Sequence, residues 1–110
     1  MLTSDDAEKV VDWLRDNART MAQARAERLY MEQWIKTAKA EAMKSHTALP
    51  VAAQEREAFT SAGYLSALQA FKDSVVADEH YRWLAVAAEA KLDAWRTQES
   101  TRRAEGKAYS

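Results

Sequence analysis

Hydrophobic and polar residues between Ala7 and Ala42 recur at spacings of three and four. Ala7, Leu14, Met21, Arg28, Ile35 and Ala42 share one heptad position. Val10, Asn17, Ala24, Met31 and Ala38 share the other. That alternation is the coiled-coil rule, and only Asn17 and Arg28 interrupt the apolar seam. Val11, Trp13, Ala18 and Trp34 widen the face on its flanks. No proline or glycine occurs from Val10 to Met43, so the pattern predicts one helix over about 4–45. Thr3 or Ser4 supplies its cap, and Asp5, Asp6 and Glu8 suit the positive end of its dipole.

The next stretch, SHTALPVAAQ, holds Pro50, which fits the first turn of a short helix over about 50–60. TSAG at 60–63 breaks the chain again, with Ser61 as a cap and Gly63 as a poor helix former. A third helix follows over about 64–100. Its stripe reads Val76, His80, Trp83, Ala87, Ala90 and Ala94, flanked by Ala77, Leu84 and Val86, and is expected to pack antiparallel on the first helix. Tyr81, Leu92 and Trp95 form a second face, read as a dimer contact or binding surface. Residues 1–100 read as a single helical domain, and 101–110 as a polar, flexible tail around Gly106.

The expected fold is therefore all-α, an elongated antiparallel helical hairpin or three-helix coiled-coil-like bundle. A helix of about 40 residues spans ~60 Å, whereas a compact chain of this length has a radius of gyration of ~13 Å. Either a hairpin or a second copy must cover the excess seam. Leu14, Asn17, Met21, Arg28, Met31 and Ile35 are read as that seam, with a homodimer expected. Asn17 and Arg28 are read as setting register and partner number; alternatively, Arg28 faces an acidic partner.

Composition supports the helical reading: 23 alanines stand against six valines, one isoleucine, two glycines and one proline. Sixteen basic and 17 acidic side chains argue against nonspecific polyanion binding by the whole surface. With no cysteine, neither a disulfide nor a thiolate metal site is possible. No apolar run is long enough to span a membrane, and the acidic start MLTSDDAEKV does not read as a signal peptide, so a cytoplasmic protein is expected.

The search for chemistry finds little. His80 has no metal-ligating residue three or four positions away and reads as a core histidine; His46 reads as a solvated loop residue. Asp78 and Glu79 are adjacent and point different ways on a helix. No phosphate loop or Ser–His spacing occurs, so no catalytic, metal or cofactor residues are assigned and an enzyme is not expected. A nucleic-acid site is a second choice, on Arg102, Arg103 and Lys107 in the basic end of the chain. Four tryptophans favour an interaction protein, because tryptophan and arginine are enriched at binding hot spots. Trp83, Trp95 and Arg96 are the expected partner-binding residues, with Trp83 read equally as a core residue.

AQEREAFTSAGYLSALQAFKDSVVADEHYRW and LAVAAEAKLDAWRTQESTRRAEG, within Ala53–Gly106, resemble a group of small phage and prophage proteins. The shared words sit at Gln54–Ala58, Ala77–Lys91 and Trp95–Gln98, about half the chain. The resemblance implies a temperate-phage setting in a bacterial host, near recombination or early genes. Its implied role is to bind and modulate a host machine, such as a defence nuclease or recombination enzyme, as an inhibitor or an activator. Two other expectations stand beside it: a DNA-binding accessory of phage recombination, and a structural coiled-coil spacer.

Overall fold

The structure is a computed structural model and describes residues 1–108. It is all-α. Helix α1 covers Ser4–Met43, a 3₁₀ turn covers Lys44–His46, α2 covers Val51–Phe59 and α3 covers Ala62–Ala108. There is no strand among the described residues.

Local chemistry explains each boundary. Thr3 caps α1 reciprocally. The Asp6 backbone N–H donates to Thr3 Oγ1 at 3.1 Å, and the Thr3 N–H donates to Asp6 Oδ2 at 2.8 Å. Two N–H groups at the helix start are thereby satisfied, a capping box with aspartate at the acidic position. Pro50 (φ −58°, ψ 153°) is the N-cap of α2 itself, one position before its first turn, and its carbonyl accepts from the Gln54 N–H at 2.9 Å. Ser61 starts α3: its Oγ accepts from the Tyr64 N–H at 3.3 Å and donates to the Ala58 carbonyl at 2.7 Å. The Ser61 hydroxyl thus bridges the end of α2 and the start of α3, beside the Thr60 hydroxyl, which donates to the Glu57 carbonyl at 3.2 Å, and the Ser61 N–H, which donates to the Ala58 carbonyl at 3.1 Å.

Helix α3 extends past the expected end near Ser100 and continues through 101–108, with Gly106 inside it. Arg102 braces that extension by reaching back one turn to Glu99 at 3.3 Å. Residues 109 and 110 of the expected tail lie outside the described residues.

The chain sorts into two compact units, Met1–Met21 with His80–Ser110, and Ala22–Glu79. In the first, α1 and α3 run antiparallel. The Leu2 N–H donates to Gln98 Oε1 at 3.2 Å, and Gln98 Nε2 donates back to the Leu2 carbonyl. Further along, Val10 and Trp13 share a groove with Leu84 and Ala88. In the second unit the helices are again antiparallel. Arg28 meets Asp78 and Glu79, and Ala38 and Gly63 line one groove. There α2 covers one edge, where Lys39 reaches Glu55 at 3.6 Å and lies 4.8 Å from the centre of the Phe59 ring.

The α1 seam lies on the covered side. Ala7, Val10, Met31 and Ala38 are buried, and the remaining heptad positions are half-buried. The expected seam of α3 is corrected. Val76, His80, Trp83, Ala87, Ala90 and Ala94 are all exposed. The covered positions are instead Ala67, Phe71, Ser74 and Asp78 in one unit, and Tyr81, Ala85, Ala88, Leu92 and Trp95 in the other. The two stripes differ by two residues, about 200° of helix rotation, so they are nearly opposite faces. Ser74 and Asp78 disguise the true seam by interrupting its apolar pattern. Both are satisfied there: Ser74 Oγ donates to the Phe71 carbonyl at 2.7 Å, and Asp78 accepts from Arg28. His80, expected in the core, is exposed beside the Tyr81 ring at 5.6 Å.

The most deeply covered side chains are small: Ala58 is 0 % exposed and Ala67 3 %. Among the described residues no large side chain is fully buried.

Candidate interaction surface

The seam residues are occupied within the chain. Met31 is buried, and Leu14, Asn17, Met21, Arg28 and Ile35 are half-buried. Asn17 turns back on its own helix, its Nδ2 donating to the Trp13 carbonyl at 2.9 Å. Arg28 reaches across to α3, where one guanidinium nitrogen lies 3.2 Å from Asp78 Oδ2 and 3.2 Å from Glu79 Oε1. The two adjacent carboxylates therefore converge on one cation rather than diverging. Their hydrogen bonds, Asp78 first and then Glu79, raise the Arg28 pKa above its ordinary value, so the charge stays fixed. In an antiparallel pair the numbers of facing residues sum to a near-constant. A turn centred near residue 52 places Arg28 opposite the high seventies, so this contact was open to sequence reasoning.

Trp83, Trp95 and Arg96 do not form one patch. Trp83 is 59 % exposed, with the Arg82 guanidinium 5.2 Å from its ring centre. Trp95 lies on the covered face, half-buried, and its Nε1–H is shielded from solvent without an acceptor. Arg96 is exposed and donates to Asp93 Oδ1 at 2.9 Å. Of the basic residues near the end of α3, Arg103 and Lys107 share one helical face with Ser100, around a shallow recess. Arg102 turns away to Glu99.

Two grooves open along the α1–α3 pairing, one in each unit. The first, of about 350 Å³, has an apolar floor of Val10, Trp13, Leu84 and Ala88 between Lys9 and Lys91. Lys9 is held by Asp5 at 3.1 Å, whose hydrogen bond and charge raise its pKa. The second, of about 330 Å³, lies in the other unit between Trp34, Ala38, Glu41 and Ala42 on α1 and Ser61 and Gly63 at the start of α3. A Cβ added at Gly63 meets no atom within 4 Å, so this groove is open next to that backbone.

Beside the second groove lies a surface of which the heptad pattern marks only Trp34, as a flank of the covered face, whereas Trp34 is exposed. Tyr30 is 61 % exposed, Trp34 42 % and Leu29 51 %. The Tyr30 and Trp34 rings stack at 6.4 Å with planes 10° apart. Their i, i+4 spacing on the seam's edge is the signal that marks them.

Among the described residues, no group of three His, Asp or Glu side chains is placed to hold a metal ion, and no helix is long and apolar enough to cross a membrane. No protein-family model, curated protein or solved structure matches the chain.

Proposed function

We propose that this chain is a non-enzymatic helical protein that binds another protein and modulates it. Its setting would be the one its second half resembles, a temperate phage acting on a host defence nuclease or recombination enzyme. The observation that carries the reading is the placement of large apolar side chains. Tyr30, Trp34 and Trp83 stand with much of their surface exposed on the outer faces of their helices, in a fold whose most deeply covered side chains, Ala58 and Ala67, are small. Such residues leave a large apolar surface in water where they stand, and they are the types that dominate binding energy once a partner desolvates them. With the α1 seam taken up inside the chain, any pairing of two copies falls to these outer faces, which sedimentation of the pure protein measures.

The test is affinity capture from a lysate of the host bacterium, with the full chain and with its Trp34→Ser/Trp83→Ser variant side by side. Helicity and melting temperature establish that both are folded. A discrete protein retained in near-stoichiometric amount by the first and lost by the second is expected. The same proteins retained by both, or none by either, would defeat the reading.

A second reading, a DNA-binding accessory, draws on Arg103 and Lys107, which the extended α3 sets on one face. It requires a mobility shift that falls steeply with salt and disappears in Arg103→Gln/Lys107→Gln. No shift at low salt removes it.

A further inference from the structure

We propose that the Tyr30–Trp34 edge of α1 is a docking site for an arginine or lysine side chain on a basic segment of the partner protein. The proposal rests on the interaction reading and assigns it a surface and a chemistry.

Three observations converge within the unit Ala22–Glu79. The first is the aromatic pair, stacked and open to solvent, which presents π-faces on which a guanidinium or ammonium group is attracted by the ring quadrupole. The second is charge. Glu27 and Glu41 lie seven residues before and after Trp34, and two helical turns bring both within about 20° of it. The edge therefore reads acid, aromatic, aromatic, acid. Residues Arg25 and Lys36 lie nearly opposite on the helix, so α1's own nearby cations face away from the pair. The third is room. The groove beside Trp34 is floored by Ala38, Ala42, Ser61 and Gly63, side chains too small to fill it. Glu41 stands at its rim.

One cation of the chain itself sits at this edge. Lys44 reaches Glu41 at 3.0 Å, with both side chains mostly exposed. An exposed pair of this kind is readily exchanged. The partner's basic side chain takes the place of Lys44 on Glu41, lies against the Trp34 face and extends its aliphatic stem over the small residues. An apolar or acidic segment gains no such exchange, which makes the site selective by charge as well as by shape.

The experiment uses the full-length protein and follows the four indole N–H signals by ¹⁵N NMR, with Trp34→Phe giving the assignment. The probes are three capped tetrapeptides, Arg-Leu-Ala-Arg and its glutamine and glutamate counterparts. The arginine peptide is expected to move the Trp34 signal while Trp13, Trp83 and Trp95 stay in place. The glutamine peptide should bind about fivefold more weakly, as loss of one exposed cation–aromatic contact predicts, and the glutamate peptide more weakly still. Glu27→Gln/Glu41→Gln should lose the preference, and Lys44→Gln should tighten binding by freeing Glu41. Gly63→Gln should block the groove, and Gly63→Ala, whose Cβ meets no atom within 4 Å, should leave binding intact with the melting temperature unchanged or higher.

An unmoved Trp34, four signals moving together, or equal binding of the glutamine peptide overturns the proposal. So does a Trp34 shift that follows protein concentration without peptide, because a second copy is then the occupant. A captured partner that depends on Trp83 and is indifferent to Glu41→Gln sinks this site and leaves the broader function standing.

Discussion

Two valines in one unit decide which face of α3 holds the protein together. Val10 is 8 % exposed in the α1 seam, and Val86, a flank of the stripe expected to be the α3 seam, is 44 % exposed. Replacing either by alanine removes two methyl carbons, ~1.6 kcal/mol of transfer free energy when fully buried. Scaled by burial, Val10→Ala loses ~1.5 kcal/mol and Val86→Ala ~0.9 kcal/mol. Alanine returns ~0.6 kcal/mol of helix propensity at both positions. Val10→Ala also leaves a small cavity, which adds roughly 0.5 kcal/mol or more. The expected costs are therefore about 1–2 kcal/mol for Val10→Ala and about 0.3 kcal/mol for Val86→Ala. Urea unfolding followed by circular dichroism and tryptophan fluorescence measures both, and an unchanged denaturant slope shows that the ensembles remain comparable. If Val86→Ala costs as much as Val10→Ala, the outer stripe of α3 is packed and the description of that helix is wrong.

Thr3→Ala should cost ~1 kcal/mol or less at the start of α1, read as faster amide exchange over the first turns. The same cap is pH-dependent. Hydrogen bonds from the Thr3 backbone and hydroxyl hold the Asp6 carboxyl below its ordinary pKa, so its contribution is present above the unfolded value and is lost as pH falls through the lower folded one. Acid should fray these turns first, and Asp6→Asn should remove that dependence in an exchange titration. Gly106→Ala, at an open position in α3, should gain up to ~1 kcal/mol of local helix stability, seen as slower exchange over 101–108. Arg28→Gln should lower the melting temperature, and Asp78→Asn/Glu79→Gln in that background should cost little more; additive losses would mean that the three residues do not act as one cluster.

The α1 seam was legible because eleven consecutive heptad positions speak together and nine of them are apolar. The caps at Thr3 and Ser61 were legible too, since capping is local chemistry. Helix α3 was misread because it is apolar on two faces. Val76 and Trp83 outweigh Ser74 and Asp78 in any count of hydrophobic residues, although the latter pair faces inward. A polar residue in a seam is discounted until its partner is known, and the partner of Asp78 is Arg28, some fifty residues away. The continuation of α3 past Ser100 is hidden by Gly106 and the polar run TRRAEGKA, which read as breakers, whereas Arg102 and Glu99 are one turn apart and pair. Tyr30 is hard to single out from sequence because it lies on the edge of the heptad pattern rather than in it.

Because no large side chain among the described residues is wholly shielded, unfolding releases less apolar surface per residue than it does in a thick-cored domain. The heat-capacity increment should fall below the ~12–15 cal/mol/K per residue of ordinary globular proteins. The stability curve is then shallow and broad, with modest curvature on cooling, and calorimetry of the chain with a bound partner should restore part of the missing increment.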